Sequence, residues 1–132
     1  MTETAIILFA HGARDPEWAQ PFRKIKHMLE TKRPGAVVEL AFLELMQPAL
    51  ADTVDKLAQA GHQSITIAPL FMAQGGHLKN DLPKILDALR AHHLKTTITL
   101  LPAVGDVDDI LAAIADWLVG ATAGSSVKTL SR

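Results

Sequence analysis

Short apolar runs alternate with helix-length amphipathic segments four times along this chain, and that rhythm constrains its fold more than any other feature. The run Ala5 to Phe9 is continuously apolar, as expected of a strand buried on both faces. Further strand-like runs follow at Ala36 to Phe42, Ser64 to Ala68 and Thr96 to Leu101. Between them lie helical stripes. Asp15-Pro16 offers an N-cap and a first-turn proline ahead of Trp18, Phe22, Ile25, Met28 and Leu29, and this helix ends before Pro34-Gly35. Gln47-Pro48 opens a second helix with Leu50, Val54, Leu57 and Ala58 on one face, stopped at Gly61. Asp81, Leu82 and Pro83 read as the entry to a third, with Ile85, Leu86 and Leu89 facing the core. Asp106, with Asp109 after it, reads as the N-cap of a fourth whose buried face is Ile110, Leu111, Ile114, Trp117 and Leu118.

Strands joined by helix-length crossovers are parallel, and right-handed crossovers place helices above and below the sheet. The expected fold is therefore α/β, a small doubly wound four-stranded parallel sheet with helices on both faces. It occupies a single domain over residues 1–119, and residues 120–132 form a small, polar, mobile C-terminal tail. The length of 132 residues with 48% hydrophobic content suffices for one real core. A formal net charge of -1, without any basic run, argues against a nucleic-acid partner. The absence of cysteine removes disulfides, thiolate metal sites and Cys nucleophiles together. The apolar run Ala5 to Ala10 is too short for a signal segment or a membrane span, and the expectation is a cytoplasmic protein with no membrane partner.

In open parallel sheets, ligands bind outside the carboxyl ends of the strands. That rule gathers His11, Glu44 and His77 on one edge although they lie far apart in sequence. The stretch Pro69 to Pro83, PLFMAQGGHLKNDLP, is the most site-like: glycines permit positive φ and close backbone approach, and an imidazole follows at once. Two neutral imidazoles and a carboxylate suit a borderline divalent ion and leave positions open for a substrate. The plainer readings are that His11 caps a helix and Glu44 is a solvated loop carboxylate. His27 and His62 sit on or after helices, and His92-His93 at a helix end reads as a partner of its dipole rather than as metal ligands. Other site types fare worse. There is no GxxxxGK[ST], GxGxxG or GxSxG, and a phosphoryl-histidine site would want an arginine where Ala10 stands.

HGAR at His11 to Arg14, FLELMQPAL at Phe42 to Leu50 and PLFMAQGGHLKNDLP resemble the three signatures of the small CbiX-type class II chelatases, relatives of sirohydrochlorin cobaltochelatase and ferrochelatase. The resemblance runs from Ala5 to Leu118 with the motifs in the family's order. It implies a lyase that inserts a divalent metal, Co²⁺ foremost and Fe²⁺ or Ni²⁺ as alternatives, into sirohydrochlorin for cobalamin or siroheme. The metal is then a substrate, and no organic cofactor is expected. His11 and His77 match the family's two metal-handling histidines, one of which would also accept pyrrole protons. Glu44 matches a carboxylate that joins them in some larger relatives. For the substrate's carboxylates the nearest candidates are Arg14, Lys79 and the backbone amides around Gly75 and Gly76, with solvated surface charge as the plainer reading of the two cations. Ala13 departs from a serine frequent in the family. Larger relatives carry two such lobes around one cleft, so a homodimer is implied for a chain with one. The competing expectation is a non-catalytic metal or tetrapyrrole carrier on the same fold.

Overall fold

A computed structural model describes residues 4–124. Its strands Ala5–Ala10 (β1), Val38–Phe42 (β2), Ser64–Pro69 (β3) and Thr97–Leu100 (β4) form one sheet of order β2-β1-β3-β4, parallel at every pairing. Helices Gln20–Lys32 (α1), Leu50–Gln59 (α2), Gly76–His92 (α3) and Asp108–Ala121 (α4) follow the strands in turn. The strand–helix alternation expected from the sequence is thus present, and the sheet is the expected four-stranded parallel one.

The register sorts the side chains. Ile7 pairs with Glu39 and Ile67, and Phe9 with Ala41 and Pro69, so alternate residues of neighbouring strands share a face. On one face Ala5, Ile7, Phe9, Ala41, Ile65, Ile67 and Ile98 meet Leu50, Val54 and Leu57 of α2 and Leu82, Leu86 and Leu89 of α3. Phe9 and Phe71 are both 1% exposed and pack edge to face, ring centroids 5.4 Å apart. Each such fully buried side chain contributes about 1.5–3 kcal/mol of transfer free energy. This face is the main core.

The other face is thinner. Ala10, Ala19 and Phe42 are buried there against Trp18, Phe22, Leu40 and Met46. The α1 stripe read from the sequence is only partly covered: Ile25 is 41% and Met28 52% exposed, α1 packing mainly on β2 and β1. Beside it, Thr97 and Thr99 of β4 are exposed, and Thr66 of β3 is half-buried in a hydroxyl chain with Thr4 and Ser64.

α2 begins at Leu50 behind an N-cap at Ala49 rather than at Gln47-Pro48, and two further helices depart more from expectation. α3 begins at Gly76 rather than at Asp81, because Leu78, Leu82, Leu86 and Leu89 form one apolar stripe and Gly75 supplies an extended residue ahead of it. Pro83 therefore lies inside the helix, on its exposed side, where it removes one backbone donor without breaking the helix. The second departure is α4. None of its residues is buried, and Trp117 is 67%, Leu118 47% and Val119 70% exposed. The expected buried face of Ile110, Leu111, Ile114, Trp117 and Leu118 is not buried among the described residues, because α4 packs mainly on the 3₁₀ turn Val104–Asp106 just before it. Asp106 ends that turn and is not the N-cap, which is Val107. Asp15 does cap, its Oδ1 accepting from the Glu17 N–H at 2.9 Å, but what it caps is a 3₁₀ turn, Pro16–Ala19; α1 itself starts at Gln20 behind Ala19, with no side-chain cap. The helix continues through Gly120, where the mobile tail was expected to begin, and residues 125–132 lie outside the described ones.

Candidate functional site

The order β2-β1-β3-β4 makes the gap between β1 and β3 the place where successive connections diverge. Loops leaving two adjacent strands part there, and in sheets of this kind the ligand crevice is formed at their carboxyl ends. His11 is the first residue after β1, and the loop after β3 leads into α3. Pairing persists to the lip of the crevice, where the Leu70 N–H donates to the Phe9 carbonyl at 2.8 Å.

His11 is held from its backbone. The Leu43 N–H donates to the Ala10 carbonyl at 2.9 Å and the Glu44 N–H to the His11 carbonyl at 3.0 Å, which ties the loop after β2 to the end of β1. Gly12, at φ 95°, makes this possible, since a Cβ there would run into the Glu44 carbonyl. Glu44 is therefore a backbone neighbour of His11, with an exposed carboxylate, and Leu45 follows it in a left-handed conformation at φ 67°. The exposed imidazole of His11 leans on buried Phe71, ring centroids 4.3 Å apart and planes inclined by 43°. Phe71 limits the ring on one side and leaves the other to solvent.

The loop after β3 is fixed in turn by the loop after β4. The Gly105 N–H donates to the Phe71 carbonyl at 3.0 Å, and a Cβ on Gly105 would strike the Met72 carbonyl. Gly75 then stands extended at φ -67° and ψ 161° before α3, with no side chain capping the helix start. Neither Gly75 nor Gly76 uses a positive φ, and a Cβ on either would meet nothing within 4 Å. Backbone strain does not demand these glycines, contrary to one half of the reading from sequence. They leave the first amides of α3 bare. His77 and Lys79 lie in that first turn, both exposed, and not in a loop. Lys79 also lines a cleft of about 350 Å³ with Pro69, Gln74, Pro102 and Asp106.

His11, Glu44 and His77 thus share one edge, yet their ligand atoms are not gathered as a triad. Among the described residues, the group of His and carboxylate ligands that lies within 4.8 Å of one another is Asp55, His92 and His93. Sequence reasoning missed that group, and it also missed Gly12 and Gly105 as the residues that let the loops touch. Arg14 is exposed on the same edge as His11, and among the described residues neither it nor Lys79 forms an ion pair.

Fold and site together define a small parallel α/β lobe whose switch-point crevice is flanked by exposed histidines on two separate connections. The chain belongs to the CbiX family, whose model matches residues 5–120. The sirohydrochlorin cobaltochelatase of Methanopyrus kandleri is 38% identical over 82 residues, a region that covers 62% of this chain and 57% of that protein. The similarity to that relative therefore spans little more than half of its length. The sirohydrochlorin cobaltochelatase of Sulfurisphaera tokodaii is 30% identical over 109 residues, 83% of this chain and 85% of that one. Among solved structures, a CbiX protein from Marinobacter aquaeolei VT8 aligns with a TM-score of 0.76 at 31% identity over 89% of this chain and 96% of its own. SirB of Bacillus subtilis, solved in complex with cobalt, aligns with a TM-score of 0.73 at 21% identity over 91% of this chain but only 51% of its own, a likeness of fold.

Proposed function

We propose that this protein inserts a divalent metal, Co²⁺ foremost, into sirohydrochlorin. The observation that carries the reading is the placement of His11 and His77 on the two connections that flank the β1/β3 switch point, in a chain of the CbiX family. The reaction exchanges two pyrrole protons for one M²⁺. A neutral imidazole offers a lone pair to the incoming ion and, as metal–nitrogen bonds form, the other accepts the two pyrrole protons in turn and passes each to water. Both roles need an unprotonated ring. Glu44, held beside the His11 backbone, supplies a carboxylate for the ion's approach. Arg14, Lys79 and the bare amides at Gly75 and Gly76 receive the substrate's carboxylates, helped by the absence, among the described residues, of ion pairs to either cation. The preference for Co²⁺ over Fe²⁺ or Ni²⁺ rests on the relatives named cobaltochelatases, since imidazole and carboxylate ligands accept the whole borderline series.

A single lobe gives an open edge rather than an enclosed cleft, and the reading includes a homodimer that closes it. Two surfaces support this. α4 exposes Trp117, Leu118 and Val119, and the β3–β4 side of the sheet next to α1 leaves Thr97 and Thr99 uncovered. An apolar helix and a sheet face both left open among the described residues are complementary needs, met when α4 docks on a second copy. The cysteine-free composition fits residence in a reducing cytoplasm.

Anaerobic absorbance kinetics with sirohydrochlorin and Co²⁺ test the reading: His11→Ala and His77→Ala, each folded by circular dichroism, should lose at least about two orders of magnitude in rate. Rates equal to wild type in both variants would remove the histidines from the mechanism.

A further inference from the structure

α3 carries candidate ligands at both ends. His77 lies in its first turn and His92 is its last residue, and at 1.5 Å per residue the two are about 22 Å apart, on opposite edges of the sheet. We propose that Asp55, His92 and His93 form a second site for a borderline divalent metal ion, separate from the His11/His77 crevice and independent of the reading given for it.

The geometry is built by two helices. Asp55 sits in the middle of α2, and His93 follows the last residue of α3, its N–H donating to the Leu89 carbonyl at 3.0 Å. The backbone then leaves the helix at His93, at φ -123° and ψ 71°, and its side chain, 12% exposed, lies against α2, where Nε2 is 2.6 Å from Asp55 Oδ1. His92 stands edge-on to it with ring centroids 4.8 Å apart at 90°, so both imidazoles and the carboxylate converge from different directions. One ligand atom from each of the three lies within 4.8 Å of the others. With metal–nitrogen distances of about 2.0–2.1 Å, bound ligands stand roughly 3–3.5 Å apart. Only His92 has far to move, and it is exposed and makes no side-chain hydrogen bond.

Two imidazoles and one carboxylate form a donor set for Co²⁺, Ni²⁺ or Zn²⁺ and not for Mg²⁺ or Ca²⁺, which favour all-oxygen shells. The C-terminal end of a helix carries partial negative charge, which also favours a cation. A groove of about 290 Å³ lined by Ala58, Gln59, Leu94, Lys95 and Thr96 adjoins the histidines and leaves room for water to complete the shell. Lys95 is the one opposing charge in that groove. The bound ion would bridge α2 to the end of α3, in place of the hydrogen bond that links them without metal.

The test uses the full chain carrying His11→Ala and His77→Ala, dialysed against chelator and then titrated with Co²⁺ or Ni²⁺ alone. Calorimetry should show one ion bound per chain, with a rise of several degrees in thermal midpoint. Adding His92→Ala should abolish both effects while leaving the metal-free midpoint unchanged, and Asp55→Asn should weaken binding at least tenfold. Lys95→Ala should tighten it. Failure of the double variant to bind metal, or binding indifferent to both His92→Ala and Asp55→Asn, would overturn the proposal.

Discussion

Gly12→Ala is predicted to damage the fold and the crevice together. At φ 95° an alanine occupies backbone space that L-residues avoid, at a cost of about 1–3 kcal/mol. Its methyl would also collide with the Glu44 carbonyl, so the loop after β2 must retreat. Retreat stretches the bond from the Glu44 N–H to the His11 carbonyl, now 3.0 Å, and forfeits about 0.5–1.5 kcal/mol more. The sum is about 2–4 kcal/mol, which for a domain of this size lowers the melting midpoint by roughly 10 °C. Gly75→Ala is the matched control. Its φ of -67° suits alanine and its Cβ meets nothing, so the midpoint should hold or rise slightly through lost unfolded-state entropy, by about 0.4–1 kcal/mol. Both variants should lose turnover, Gly12→Ala because His11 and Glu44 shift, and Gly75→Ala because a methyl then stands before the first amides of α3. Thermal melts by circular dichroism read the stability half. A Gly12→Ala midpoint within 2 °C of wild type would refute the packing argument.

Further predictions concern separate surfaces. Phe71→Leu should cost about 1–3 kcal/mol by thermal melting, since Phe71 is fully buried, and should slow turnover further by removing the wall against the His11 ring. Arg14→Ala and Lys79→Ala should raise KM for the polycarboxylate substrate by roughly tenfold each with little change in kcat, as expected when ground state and transition state lose the same contact. Trp117→Glu with Leu118→Glu on α4 should convert the proposed dimer to a monomer in sedimentation analysis while leaving the lobe's circular dichroism spectrum intact, because neither side chain is buried among the described residues.

Elements whose reasons are local were legible in the sequence. β1 shows itself as an apolar run because it is central and covered on both faces, and Asp15 caps because an aspartate before proline can reach a nearby amide. Parallel strands then follow from the helix-length crossovers, and with them the edge that carries His11, Glu44 and His77, whereas the order β2-β1-β3-β4 is read only from the structure. What was illegible depends on contacts between distant segments. The start of α3 was misread because Pro83 resembles a first-turn proline, whereas the stripe from Leu78 to Leu89 that governs the helix begins before it. The burial of α4 was misread because an apolar face records only that something must cover it, and among the described residues nothing does. Gly105 shows no local reason for its identity; the reason is the Met72 backbone lying against it. The Asp55–His93 contact spans 38 residues, so the paired histidines at the end of α3 gave no sign of a carboxylate waiting on α2.

The most direct test of the central claim is the number of metallated macrocycles formed per chain when sirohydrochlorin and Co²⁺ are both in large excess over protein under anaerobic conditions. A chelatase predicts many turnovers per site above the uncatalysed rate, abolished in His11→Ala and in His77→Ala. At most one product per site, or a rate no greater than that without protein, would contradict it and leave a binding lobe of the same fold.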